Sequence, residues 1–339
     1  MRMRGSGRAG LTSLAIVVVA AAALLAYVQF RTDGDWNLFL QLTVNGVTLG
    51  SVYALIALGY SMVYGILKLL NFAHGDVYMV GAFIGFGVLT AFGGPLDPTI
   101  PVALLVVIMF ATAMLGSGIL GVVIERFAYR PLRNAPRIAP LISALGVSFF
   151  LQNSALLLFG ASFRSYDPFE FIGLSGKQLG PVFVSTIRMI VIASALGLMV
   201  ALTVLVARTR LGKAMRAVSF DREAAAMMGI DTDRVIAATF FIGSALAGAA
   251  GVMFGLVFSQ IFHFMGFTAG LKGFTAAVVG GIGNVPGAMV GGLVVGLAEA
   301  YATGYVNGNW ADLIVFSMLV TVMLLRPSGL LGTPAIQKV

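Results

Sequence analysis

Apolar residues along this chain fall in long unbroken runs, with no polar face recurring every second or every third to fourth position. Runs at about 37–66, 72–93, 101–124, 138–160, 186–207, 235–259, 286–304 and 310–325 approach the roughly 20 apolar residues that carry a helix across a bilayer. An earlier run from Leu11 to Phe30 follows Arg2, Arg4 and Arg8. It is long for the apolar core of a leader and has no clean small-residue cleavage site before Arg31, so it reads as a retained span. The run at 37–66 exceeds one straight crossing, which predicts tilt or a break. The run at 268–283 is short and reads as a half-helix or re-entrant element lining a cavity. The strands of a membrane barrel would alternate over about ten residues, and no run here does. The pattern predicts an all-α fold, a polytopic transmembrane bundle of nine or ten spans.

Composition agrees. Of 339 residues, 59% are hydrophobic and 10% charged, against about 45–50% and about 25% in soluble domains. The net charge of +8 is explained by topology. With the N-terminus in the cytoplasm, only Arg31, Arg164, Lys177, Arg188 and Lys272 of the 21 lysines and arginines fall outside, a firm positive-inside bias. No basic face with interleaved aromatics appears, so nucleic acid is not a predicted partner. There are no cysteines, which excludes disulfides and thiol chemistry. His74 and His263 are the only histidines, too few for a metal site. No cofactor is predicted.

Glycines recur four apart at Gly81/Gly85, Gly251/Gly255, Gly287/Gly291 and Gly292/Gly296, a spacing that lets helix backbones approach closely in lipid. There is also an internal echo. Gly50-Ser51 opens a glycine-interrupted run leading to Phe72-Ala73-His74-Gly75, and Gly243-Ser244 opens another leading to Phe267-Thr268-Ala269-Gly270. The first travels inward and the second outward, as an inverted-topology repeat would.

Polar residues inside a membrane are functional candidates by default. Asn71, His74 and Asp76 cluster at a turn near the cytoplasmic edge, where a gate or packed turn is favoured over substrate contact and Asp76 suits the start of the next helix. Asn45, Gln152, Asn153 and Glu299 fall within or near spans. Gln152 and Asn153 lie nearer mid-span and suit interhelical hydrogen bonds, whereas Glu299 is close enough to the outer end to reach water. The glycine-rich stretch around Asn284 could offer broken helix ends to a zwitterion. Asp76 and Glu299 are the plausible carboxylates if the chain were instead an ion-coupled secondary transporter. The segment 208–234 is cytoplasmic. Its apolar Met215, Val218, Phe220, Ala224, Met227 and Met228 lie among Arg216, Asp221, Arg222 and Glu223, and the run ends at Gly229, which predicts a short amphipathic helix. Such a helix either anchors the loop at the interface or docks a cytosolic partner.

Glu223-Ala224-Ala225 followed by Gly229 resembles the coupling loop of ABC-importer permeases. A second stretch, Asn71-Phe72-Ala73-His74-Gly75-Asp76 with Tyr78-Met79-Val80-Gly81-Ala82, is similar to the signature of branched-chain amino acid ABC permeases, the shorter of the two permease subunits. Gly280-Gly281-Ile282-Gly283-Asn284-Val285-Pro286-Gly287-Ala288 and Arg326-Pro327-Ser328-Gly329-Leu330-Leu331-Gly332 resemble the same family. The likeness covers residues 37–332, leaving 1–36 as a basic extension with an extra span and 333–339 as a short cytoplasmic tail. The resemblance implies a bacterial inner-membrane subunit forming half of an import pathway. It implies as partners a second homologous permease, two cytosolic ATPase subunits, an extracytoplasmic binding protein and an amino-acid substrate. It places Arg216, Asp221, Glu223, Ala224, Ala225 and Gly229 at the ATPase contact. A urea or short-chain amide permease of the same superfamily is the nearest alternative. The chain has no Gly-x-x-x-x-Gly-Lys-Ser/Thr loop to cradle ATP phosphates, so its energy comes from a partner or an ion gradient.

Overall fold

The computed structural model describes residues 36–94, 99–133, 135–136, 138–173 and 175–332. The predicted span at 11–30 and the tail at 333–339 lie outside the described residues. Eight described helices are long and apolar enough to cross a membrane. They are α1 (Trp36–Leu67), α2 (His74–Ala91), α3 (Val102–Ile124), α4 (Ile138–Phe159), α5 (Thr186–Arg208), α8 (Thr232–Phe258), α10 (Val285–Tyr301) and α11 (Gly308–Leu325). Between them lie α6 (Arg210–Phe220), α7 (Arg222–Met227) and the short α9 (Met265–Gly280). The predicted spans match these bounds within a few residues. α1 runs its 32 residues without a break. At 1.5 Å per residue it is about 48 Å long, so tilt or protrusion, not fracture, absorbs its excess over a bilayer core.

One end of the bundle carries Lys68, Arg126, Arg130, Arg133, Arg208 and the α6–α7 segment, and is called here the basic end. The opposite end carries a feature that the run pattern did not predict, the antiparallel hairpin β2 (Gly176–Leu179) and β3 (Val182–Ser185), with Leu179 opposite Val182. Its turn uses Gly180 at φ 61° followed by Pro181. Beside it, β1 (Arg164–Ser165) pairs with β4 (Gln260–Ile261). The next residue, Tyr166, is a buried wedge whose hydroxyl donates to the Ala82 carbonyl at 2.5 Å.

α1 and α8 form the core. Every residue from Gly50 to Val63, and from Gly243 to Met253, is buried. Helices enclosed on all sides need no polar face, which is why their sequences show no amphipathic period. α3, α4, α5 and α11 lie outside and expose Val107, Leu115, Phe150, Leu157, Val200 and Leu324, a surface suited to lipid.

The helices α1–α3 and α8–α10 pack as an inverted pair. α1 lies along α10 and α8 along α3. Gly46, Gly50 and Ala54 mesh with Gly292, Leu293, Gly296 and Leu297, while Gly248 meets Ala113 and Ser117. α1 crosses α8 where Gly59 faces Gly243, and α2 meets α9 at their first turns, where Gly75 faces Gly266 and Gly270. Exchanging the two triplets maps each contact onto another. The sequence echo found the right helices, and its second half aligned Gly75 with Gly270, which do meet; in its first half the register differs, since Gly243 lies opposite Gly59, not Gly50.

The first-turn contact is too close for side chains. A Cβ on Gly266 would lie 2.7 Å from the Gly75 carbonyl oxygen, and one on Gly270 would lie 2.9 Å from the Gly75 Cα. Gly270→Val is therefore expected to destabilise the fold by about 1–3 kcal/mol through overpacking, read as a lowered thermal midpoint in detergent. Gly87→Ala, with nothing within 4 Å of its added Cβ, should not lower it.

Candidate functional site

After α1 the chain reverses at Lys68, whose φ of 55° is left-handed, and returns through residues 68–73 to start α2 at His74. Asn71 serves this turn, since its Oδ1 accepts from the Tyr129 hydroxyl at 3.1 Å. The buried His74 imidazole fills the space left by Gly59 and lies edge-on to Tyr60, with ring centroids 4.8 Å apart. Asp76, in the first turn of α2, receives two donors from α4. Ser148 Oγ donates at 2.5 Å and Gln152 Nε2 at 3.0 Å. All three residues are buried. A carboxylate here also favours the positive end of the α2 dipole.

These contacts revise the depth expected from sequence. Ser148 lies about 15 Å along α4 from Ile138 at 1.5 Å per residue, so Asp76 sits near the middle of α4 and not at the basic end. The structure thus brings His74, Asp76 and Gln152 together, with Asn71 nearby. It does not bring Asn153 there. That side chain is exposed and donates to the Phe149 carbonyl of its own helix at 2.7 Å, so the expected interhelical bond is absent. Asn284 is at the basic end, where its Oδ1 accepts from Gly287 N and caps α10, while its Nδ2 donates to the Leu331 carbonyl at 2.6 Å. Its role is to tie the segment after α11 to the bundle.

A second polar centre was misread from sequence. Lys272, counted with the outer charges although it falls in the run 268–283, is almost enclosed by the bundle. It lies inside α9, where its Nζ contacts Glu299 Oε1 of α10 at 2.7 Å and Asp312 Oδ1 of α11 at 2.6 Å. Tyr53 of α1 donates to Glu299 Oε2 at 2.9 Å. Glu299 therefore does not merely reach water. The available signal was a lysine and a glutamate of opposite sign inside separate apolar runs, which in lipid ask to be paired.

At the basic end, the expected single amphipathic helix is two. Asp221 adopts an extended conformation (φ −154°, ψ 113°), stops α6, and caps α7 by accepting from Ala224 N at 2.9 Å. An aspartate competes with the helix backbone in this way, and the sequence reading had treated it as an interior position. α7 closes on Gly229 at φ 82°, with Gly229 N bonded to Ala226 O and Ile230 N to Ala225 O, a Schellman cap. Met215 and Val218 face inward from α6, and Ala225 from α7. Arg216 is occupied at the end of α5, where its guanidinium donates to the Val206 carbonyl. Glu223 is exposed and Ala224 half-buried. Phe220, Met227 and Met228 are 88%, 82% and 83% exposed. Behind them, Asp233 at the start of α8 pairs with Arg130, with Arg133 at 2.5 Å and with Arg222 at 3.8 Å, and buried Arg133 also pairs with Glu125. One carboxylate thus joins the α3–α4 connection to α7 and α8.

The profile of the family described as branched-chain amino acid transport system / permease component matches residues 42–323. The chain belongs to that family. A permease of Salmonella typhimurium, the high-affinity branched-chain amino acid transport system permease protein LivH, is 45% identical over 305 residues, covering 89% of this chain and 98% of its own. The protein of the same name in Escherichia coli K12 is 44% identical over the same shares, and BraD of Pseudomonas aeruginosa is 42% identical over 304 residues. No solved structure matches the permease.

The Lys272 centre should be structural in this permease. Lys272→Met leaves the partly buried Glu299 without its cation and is expected to cost about 1–3 kcal/mol, seen as a drop in thermal midpoint. Adding Glu299→Gln should restore part of the loss. An unchanged midpoint in the single variant would exclude the pairing.

Proposed function

We propose that this permease forms half of the translocation pathway of an ATP-driven importer for branched-chain or closely related amino acids. A second homologous permease completes the pathway, two cytosolic ATPase subunits supply the energy, and an extracytoplasmic binding protein delivers the substrate. The basic end faces the cytoplasm of a bacterial inner membrane, in keeping with the positive-inside rule, and the hairpin end faces the binding protein.

The observation that carries this reading is the ridge Phe220, Met227 and Met228, standing out from the basic end with Glu223 beside it. Large apolar side chains on a water-facing surface mark an interaction site. They stand on α6 and α7, which are braced against the bundle by Met215, Val218 and Ala225 and coupled through Asp233 to the neighbouring connection. A merely interfacial anchor would not need that brace. The relatives' names supply the substrate class, since LivH and BraD are permeases for branched-chain amino acids. Ion coupling is disfavoured by the state of its two candidate carboxylates. Asp76 is held by Ser148 and Gln152, and the charge of Glu299 is already neutralised by Lys272, so neither is a free counter-charge for a coupling ion.

Two substitutions test the docking surface. Gly229→Val forces a β-branched residue into a left-handed conformation at about 1–2 kcal/mol and should loosen the α7 cap. Glu223→Lys reverses the charge beside the ridge. Both variants should insert normally, co-purify less ATPase and import roughly tenfold less leucine, the equivalent of about 1.4 kcal/mol at the contact. Normal assembly together with normal uptake in both would remove the surface from the reading.

A further inference from the structure

At the hairpin end, two hollows of about 340 and 310 Å³ meet between α1, α5, α8 and α10. Arg188 and Val257 line both. The volumes fall at the lower end of small-molecule pockets, about 300–1,000 Å³. The walls are of two kinds. Leu42, Leu49, Val257, Phe258 and Ala300 are apolar, whereas Asn45, Arg188 and Glu299 put polar groups around the same space.

Arg188 is the telling member. It is the third residue of α5 and is half-buried. Among the described residues its guanidinium makes no ion pair and no hydrogen bond, in contrast to Arg130, Arg133, Arg216 and Lys272, each of which is engaged. Glu299 is not its counter-ion: no ion pair joins the two, and the Glu299 carboxylate lies against Lys272 and Tyr53. A planar five-donor fork left open beside a cavity is suited to a carboxylate, which it can hold through two parallel bonds. Across the same cavity, each Glu299 oxygen retains a second lone pair, as does the Asn45 amide oxygen, which accepts only a long 3.5 Å bond from Gln41 Nε2. Those are acceptors for an ammonium group.

We propose that this hollow is a receiving site for a zwitterionic aliphatic amino acid, with Arg188 taking the carboxylate, Asn45 and Glu299 the ammonium, and the apolar wall the side chain. The inference rests on the amino-acid import reading above and adds to it where this chain first holds its substrate. Affinity is weak by construction, because a binding protein supplies the ligand at high local concentration and tight retention would slow passage.

The test uses the full-length chain with its assembled subunits in nanodiscs and saturation-transfer NMR with leucine as probe. Wild type should bind leucine, with competition by valine but not by leucinamide, which lacks the carboxylate, or isovalerate, which lacks the ammonium. Arg188→Ala should weaken binding at least tenfold and Arg188→Lys less, while Asn45→Ala should weaken it several-fold. If Arg188→Ala does not assemble, the other two variants decide. Binding unchanged in the variants, or equal competition by leucinamide, overturns the proposal. So does a result in which Arg188→Ala loses only a co-purified anionic lipid, which would make the hollow a headgroup seat. Uptake by the wild-type transporter separates the two readings. Leucine uptake without carboxylate-dependent binding removes this site and leaves the importer reading intact. Uptake of amides in place of amino acids removes the importer reading, and this site with it.

Discussion

Backbone contact at glycine holds this bundle together. In lipid the hydrophobic effect gives helices no reason to associate, so packing and interhelical hydrogen bonds must do it. α1 and α8 meet at Gly59 and Gly243, and the first turns of α2 and α9 meet at Gly75, Gly266 and Gly270. These crossings sit on the line about which the two helix triplets exchange. Because α2 and α9 both start near that line, they could not be drawn together if either carried side chains at the contact. The Asp76 hydrogen bonds then fix where α2 starts relative to α4, and the Lys272 pairs fix α9 against α10 and α11. Close packing brings the helices together, and buried polar pairs set their register.

Among the described residues the spans were legible because lipid makes hydrophobic run length a direct signal, and they held to within a few residues. Three features were not. The β2–β3 hairpin is too short and too mixed in composition to stand out beside runs of 20 apolar residues. Lys272 was placed with the outer charges although it lies in the run 268–283, because hydropathy does not say whether a lone charge in a short run meets water or a partner. Its partners, Glu299 and Asp312, lie on other helices, and only the fold joins them. Asp221 was absorbed into one helix because its neighbours are good helix formers, although its capping chemistry argued for a break. Of the candidate pathway residues, His74, Asp76 and Gln152 did converge, whereas Asn153 had the right residue type on the wrong face of α4. Polarity within a span was readable from sequence. Which way each side chain pointed was not, because buried helices carry no amphipathic period to orient them.

Asp233 shows how a signal at the basic end could travel. It sits at the first turn of α8, the core helix that crosses α1, and binds arginines from both neighbouring connections. A push on α6–α7 therefore does not act on a free loop. It bears on α8 through Arg222 and on the end of α3 through Arg130 and Arg133. Exposed ion pairs are individually weak, but Arg133 is buried and also held by Glu125, so this clasp has one rigid member. Weak outer pairs around a rigid inner one permit small rearrangement without loss of the connection.

The charges divide by depth in a way that fits transport better than storage. Near the middle of α4, Asp76 is saturated by donors from that helix. In the next layer toward the hairpin end, Lys272 and Glu299 satisfy each other. Arg188, half-buried beside the hollows at that end, keeps an open set of donors. A pathway that bound a zwitterion firmly at its centre would have to break strong contacts on every cycle, since the affinity a site provides must be overcome again on release. Placing an unpaired, half-buried cation beside the hollows, and leaving the deeper polar groups paired, would let the chain engage a zwitterion at that end and give it little to hold onto further in.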